Sequence, residues 1–293
     1  MKGISLSLRE RAAVKGISLS LRERAAVKGI SLSLRERAGV RGLIFAAMLS
    51  ITSPAPAQFL SNLEPDRPIA VEDAAPIPFR ALSVAVDWTY NLRRGGLNDQ
   101  GPGFTATYGA LRNLEIGAVQ RYVTRPGRNA LRGISSGDLT LHALYGLVEE
   151  GARRPALAAR VGIVFPTGLD SRGTDIELGA VATRSFDVLR LHANFQWTRL
   201  GDTVPTERTD RLQGGLAVDF LASGRGRTDT LLLAAVIVRS SLVLLGDDIV
   251  DVEIGARQRI GIQTIVFGSL GSVVSDGPDR ARLRARFGIS HVF

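Results

Sequence analysis

The chain has 293 residues, 37 Lys plus Arg, 28 Asp plus Glu and no Cys, for a formal charge of +9. The lack of Cys excludes a disulfide scaffold, a Cys-ligated zinc site, a thiol nucleophile and an amino-terminal lipid-modified Cys. Glycine is high at 32 residues and aromatics are few, which fits many turns better than long helices, and no run reaches the ~18 apolar residues of a membrane-spanning helix.

The N-terminal region opens on a direct repeat. Lys2–Val14 and Lys15–Val27 are identical, and Lys28–Val40 differs only at Gly39. Structural repeats are longer and drift in sequence, so residues 1–42 read as a recent duplication outside the fold. Arg41, the apolar run Leu43–Ile51 and the Ala55-Pro56-Ala57 site then describe a secretory signal peptide, with its apolar core and cleavage site over 43–57 and cleavage between Ala57 and Gln58. Removing this region changes the charge. It holds ten of the 37 basic and three of the 28 acidic residues, so 27 and 25 remain, a net of +2. A nucleic-acid partner, which the whole-chain charge invites, is therefore not expected. Residues 58–80, rich in Pro and acidic groups, read as a periplasmic N-terminal segment. Residue identity does not decide between a free tail there and a plug inside a barrel.

From residue 81 the sequence alternates with a period of two. In 82–92 every even position (Leu82, Val84, Val86, Trp88, Tyr90, Leu92) is large and apolar or aromatic, and no odd one is. Successive strand side chains point to opposite faces, so this is a strand with one apolar face. The pattern recurs in 188–198, where Leu189, Leu191, Phe195 and Trp197 oppose Arg190, His192, Asn194 and Gln196. It recurs in 212–220 and 250–257. In 281–293, Leu283, Phe287, Ile289 and Phe293 share a row with His291, and Arg282, Arg284 and Arg286 take the other. Twelve strands are predicted, at 81–92, 103–110, 113–124, 137–147, 156–165, 174–184, 187–199, 210–221, 228–239, 249–258, 260–268 and 281–293. The strand at 228–239 has the weakest pattern, because Leu231–Val238 is continuously apolar.

Alternation fits a soluble sandwich or barrel as well as an outer-membrane barrel, which reverses the faces. Four features favour the membrane. A signal peptide exports the chain, and the strands are long enough to cross a bilayer when tilted. Trp88, Tyr90, Tyr122, Tyr145 and Trp197 lie near the ends of apolar rows, as interfacial girdles do. Phe293 ends the chain on an apolar row and resembles the signal read by the bacterial barrel-insertion machinery. The predicted fold is thus an all-β, transmembrane antiparallel up-and-down β-barrel of about twelve strands over 81–293, with lipid as its outer partner. Lipid offers no hydrogen bonds, so the barrel must close by pairing the first strand with the last, which brings Asp87 to the arginine row at Arg282–Arg286.

The central block also carries a family resemblance. Gly137-Asp138 opens a strand, 157–168 (LAARVGIVFPTG) runs into Pro166-Thr167-Gly168, and Leu191-His192-Ala193-Asn194 follows after a loop and a further strand. Upstream stand Arg67-Pro68-Ile69 and Glu72-Asp73-Ala74. In this order the chain resembles the MetA-pathway phenol-degradation family over most of residues 65–293. The resemblance implies a twelve-stranded outer-membrane channel or transporter and uptake of aromatic compounds.

The lumen is the candidate functional site. By parity its lining includes Asp87, Glu115, Arg121, Asp138, Arg160, Arg190, His192, Asn194, Gln196, Asp219, Glu253, Arg257, Arg282, Arg284 and Arg286, joined by Asp175, Glu177, Arg211 and Asp251. These charges serve either a pore whose selectivity they tune or a ladder of ion pairs that fills it. The resulting expectation is an outer-membrane channel or transporter for small, hydrophobic or aromatic, solutes. The alternative is a closed barrel with a structural or adhesive role. An enzyme is disfavoured: only His142, His192 and His291 exist, and His192 has no adjacent Ser in sequence. No cofactor or metal is called for, since three scattered His make a poor metal site.

Overall fold

A computed structural model describes residues 62–64, 67–93, 98–124, 134–168, 171–222, 230–275 and 281–293. The repeat, the signal peptide and the Ala57–Gln58 cleavage site lie outside the described residues. Twelve strands follow in order: β1 (Leu82–Arg93), β2 (Asp99–Leu111), β3 (Leu114–Thr124), β4 (Ile134–Val148), β5 (Ala156–Phe165), β6 (Asp175–Phe186), β7 (Leu189–Arg199), β8 (Asp210–Leu221), β9 (Thr230–Arg239), β10 (Ile249–Arg259), β11 (Thr264–Val273) and β12 (Ala281–Val292). Each pairs antiparallel with its neighbours in sequence, and β1 pairs with β12, so the sheet is a closed barrel. No helix occurs among the described residues.

The alternation seen in the sequence becomes the two faces of this wall. Val86, Phe104, Ile116, Leu141, Phe195, Leu216, Ile254 and Phe287 are all exposed on the outside, Leu216 at 67%. Their row partners Asp87, Thr105, Glu115, His142, Asp219, Glu253 and Arg286 are buried inside. A soluble protein does not expose so continuous an apolar belt, whereas a barrel in lipid must. Tyr90 marks the belt near the long-loop rim, and Tyr108 and Tyr145 mark it near the short turns. At the seam the last residue joins the ladder: Phe293 N–H donates to the Leu82 carbonyl at 2.8 Å, and its ring meets His291 edge-on at 4.6 Å.

Turns at one end are short. β6 and β7 are joined by Asp187-Val188, with Asp187 in the left-handed region at φ 55°, a conformation that Asp tolerates better than branched residues. Long connections and both ends of the strand series fall at opposite rims, as an even strand count requires.

Two sequence expectations change, and one open alternative is narrowed. β11 starts at Thr264 and runs to Val273, not over 260–268; Ile260–Gln263 instead form the turn, where the Ile260 N–H bonds the Thr264 carbonyl at 3.0 Å. Its period was hard to see because Ile265 and Phe267 are apolar and face inward. Arg282, expected inside, is exposed: the ladder to β1 slips by one residue here, so Ala281 opposes Arg93 and Leu283 opposes Leu92. The extra residue of such a bulge is unpaired and leaves the alternation. For residues 58–80 the sequence leaves a free periplasmic tail and a plug inside the barrel both open. Their described part, 62–64 and 67–80, runs inside the barrel, where it touches β1, β3, β5, β6, β7, β10, β11 and β12.

That inner segment explains β9. Its inward residues Leu231, Leu233, Ala235 and Ile237 form one cluster with Ile265 and the segment's Leu63, Ile69 and Val71. The outward ones, Leu232, Val236 and Val238, belong to the lipid belt. Both faces are therefore apolar, and the alternation vanishes.

Candidate functional site

The inner segment enters from the short-turn rim, rises to about mid-barrel at 68–72 and returns. Its path is fitted by small residues in the wall. A Cβ on Gly109 of β2 would lie 2.1 Å from the Pro78 carbonyl oxygen, so only Gly lets the segment pass there. Ile77 N–H donates to Glu115 at 2.8 Å, and Ala74 N–H donates to the Thr183 hydroxyl at 3.0 Å. Ala70 N–H donates to Glu253 at 2.7 Å, and the Ser269 hydroxyl donates to the Pro68 carbonyl at 2.6 Å. Wall side chains thus complete the hydrogen bonding of a stretch with no regular partner strand, as its buried N–H and C=O groups require.

Ion pairs add to these. Arg160 meets Glu72 at 2.5 Å. Arg190 bridges Asp73 of the segment at 2.9 Å and Asp219 of β8 at 3.0 Å. Asn194, with its amide turned to match, accepts from the Glu72 N–H at 2.8 Å and donates to the Glu72 carbonyl at 3.1 Å, which copies a strand ladder. Glu64 pairs with Arg67 and accepts from Ser83 at 2.7 Å; Arg257 donates to the Asn62 carbonyl.

Behind Arg190, His192 is buried with Thr183 at 3.0 Å from Nδ1 and Asp219 at 2.9 Å from Nε2. A carboxylate only accepts, so the Nε2 proton faces Asp219, and in a neutral imidazole Nδ1 then accepts from the hydroxyl. The order of hydroxyl, imidazole and acid is that of a hydrolase triad. Here the hydroxyl also holds the Ala74 N–H, and the segment covers it, so the string works as an anchor. His142 packs its ring over Gly117.

A second network lies toward the long-loop rim. Asp251 meets Arg239 and Arg284, each at 2.7 Å, and Arg284 reaches Glu253 at 2.9 Å. Asp87 lies 3.8 Å from Arg286, as closure of the barrel predicts, and also 3.8 Å from Arg121 of β3. Asp138 accepts from the Gly168 N–H at 2.9 Å and the Ser171 hydroxyl at 2.8 Å, tying the Pro166-Thr167-Gly168 loop to the wall. Gln196 lies with Gln213 beside these groups. Arg239, Glu72 and Asp73 were missing from the predicted set. Arg239 sits on the one strand without alternation, and the two acids precede the barrel; the signal for them was an acidic stretch in a region, 58–293, whose basic residues are all Arg.

Above the apex of the segment a cavity of about 240 Å³ is left, bordered by Ala70, Glu72, Arg121, Asp138, Arg160, Glu177, Gln196 and Arg239, among others. We call it the vestibule. A separate hollow of about 750 Å³ on the outer wall lies among Leu232, Ile254, Leu270 and Phe287 and belongs to the lipid belt.

These features define a twelve-stranded barrel of the bacterial outer membrane with a partly filled lumen. Solved structures share its fold. It matches an outer-membrane channel from Pseudomonas putida F1 with a TM-score of 0.57 at 13% identity, over 75% of this chain and 98% of that one. It matches the NanC porin with a TM-score of 0.50 at 10% identity, over 72% of this chain and 98% of that one. No family model matches the chain, and no curated protein matches it in sequence.

Proposed function

We infer that the chain is an outer-membrane channel for small solutes, closed on its short-turn side by the segment 62–80. The observation that carries this reading is the polar vestibule inside a closed barrel, bordered by Arg, acid and amide side chains. The short turns face the periplasm and the longer loops the exterior. The resemblance to the MetA-pathway family extends the reading to aromatic compounds. Polar walls support aromatic solutes that bear a polar or charged group over bare hydrocarbons, since such walls gain nothing from an apolar guest. Phe293, joined to the seam, supports delivery through the barrel-insertion machinery. Export through residues 43–57 predicts that protein extracted from the membrane begins at Gln58, which N-terminal sequencing reads directly.

Reconstitution in planar bilayers tests the channel. Folded protein, recognised by heat-dependent gel mobility, should give discrete current steps in KCl. The filled short-turn side favours a second reading, a closed barrel of structural role, and a sealed bilayer with folded protein would establish that instead.

A further inference from the structure

We propose that the vestibule is a carboxylate-binding site whose resident ligand is Glu72, and that a small solute carboxylate displaces Glu72 from Arg160 and loosens the apex of the inner segment. The proposal rests on the channel reading and adds to it a solute class and a trigger.

Three guanidinium groups, Arg121, Arg160 and Arg239, border one cavity. Arg160 stands at its floor, where Nη1 lies 2.5 Å from Glu72 Oε2. A guanidinium presents donors in a fixed fork that fits any carboxylate. A position that holds the Glu72 carboxylate therefore holds a free one through the same contacts. Both partners border the cavity, so an incoming carboxylate reaches Arg160 without crossing packed chain. The arriving carboxylate takes the place of Glu72 on Arg160, and the displaced Glu72, still tethered, turns toward the other two guanidiniums on the cavity, Arg121 and Arg239, which offset the added negative charge.

What separates Glu72 from a solute is its tether. An intramolecular ligand competes at an effective concentration in the millimolar range for short flexible links. It keeps the site when solute is scarce and yields when solute is abundant. Asp138 and Glu177 border the same cavity. Asp138 is already engaged by Gly168 and Ser171, and the negative charge of the two acids selects single carboxylates over multiply charged anions. Displacement of Glu72 removes one of the apex's holds. The Ala70 bond to Glu253 and the Asp73 pair with Arg190 persist, so the apex loosens around residue 72 while its two flanks stay docked.

The test is current through the full chain in planar bilayers at constant ionic strength, with sodium benzoate, benzyl alcohol or benzylammonium chloride added on the long-loop side. Benzoate should raise the mean current about fivefold, the lower end of usual coupling between two sites, and the other two should not. Glu72→Gln keeps the shape but loses the ion pair; it should raise the basal current and abolish the benzoate response. Arg160→Lys keeps the charge but not the fork and should move the response to higher benzoate. Heat-dependent gel mobility verifies that each variant is folded. An equal response to benzyl alcohol, or a full benzoate response in Glu72→Gln, overturns the proposal. A steady KCl current indifferent to benzoate overturns it while leaving the channel reading intact. A sealed bilayer in wild type and both variants ends both.

Discussion

The two ends of the lumen are built differently. On the short-turn side the inward wall is met by chain: Leu63, Ile69 and Val71 pack on β9 and β11, and Arg190, Thr183 and Glu115 hold the segment's backbone and acids. On the long-loop side Arg121, Asp138, Glu177 and Arg239 face a cavity instead. Both sides use the same parity and the same arginine-rich composition. The difference lies in whether something occupies the space that the wall encloses. A barrel of twelve strands has an interior between one that side chains fill and one that stays open. This chain fills one end with its own N-terminal segment and leaves the other to solvent.

Removing residues 62–80 is the strongest way to break that contrast. It should convert the packed end into a second vestibule and give the largest rise in single-channel conductance, with heat-dependent gel mobility retained. An unchanged conductance would place the barrier elsewhere.

Next in size is Asp219→Leu. It strips partners from Arg190 and His192 together, and loss of one member of a buried pair costs about 3–5 kcal/mol. Denaturant unfolding should show the loss in full, whereas Asp138→Leu, beside the vestibule, should cost clearly less because water can replace its contacts.

Ile69→Ala opens a gap in the apolar cluster and should cost about 2–5 kcal/mol, borne by docking of the segment. Limited proteolysis should then cut within 62–80 while the barrel stays intact. The smallest effect is expected for Arg282→Ala in the exposed bulge, within about 0.5 kcal/mol as for ordinary surface positions; Arg284→Ala, two residues on, should cost several times more.

Legibility in the sequence followed the same divide. Where the interior faces polar groups and the exterior faces lipid, alternation is strict, and β1, β7, β8 and β12 stand almost where the sequence put them. Where the interior faces the apolar part of the segment, both faces are apolar: β9 lost its period and β11 was displaced by several residues. The lumen residues were legible as a row, because parity assigns faces. Their partners were not, because Arg160–Glu72 and Arg190–Asp73 join positions 88 and 117 residues apart, and nothing local encodes such pairs.

The sequence by itself determined that residues 81–293 form a closed barrel with an apolar exterior, since period-two patterning and the need to satisfy every backbone group in lipid leave few other folds. It also determined which side chains face in on the strictly alternating strands, apart from the slip at Arg282, but not on β9 and β11. Only the tertiary structure decided what those side chains meet. Residues 62–80 carry no periodicity, and their place depends on wall groups from strands all round the barrel converging on a segment that forms no strand with any of them. Whether an inward arginine lines a cavity or grips a carboxylate is set by that convergence, which arises only once the barrel has closed.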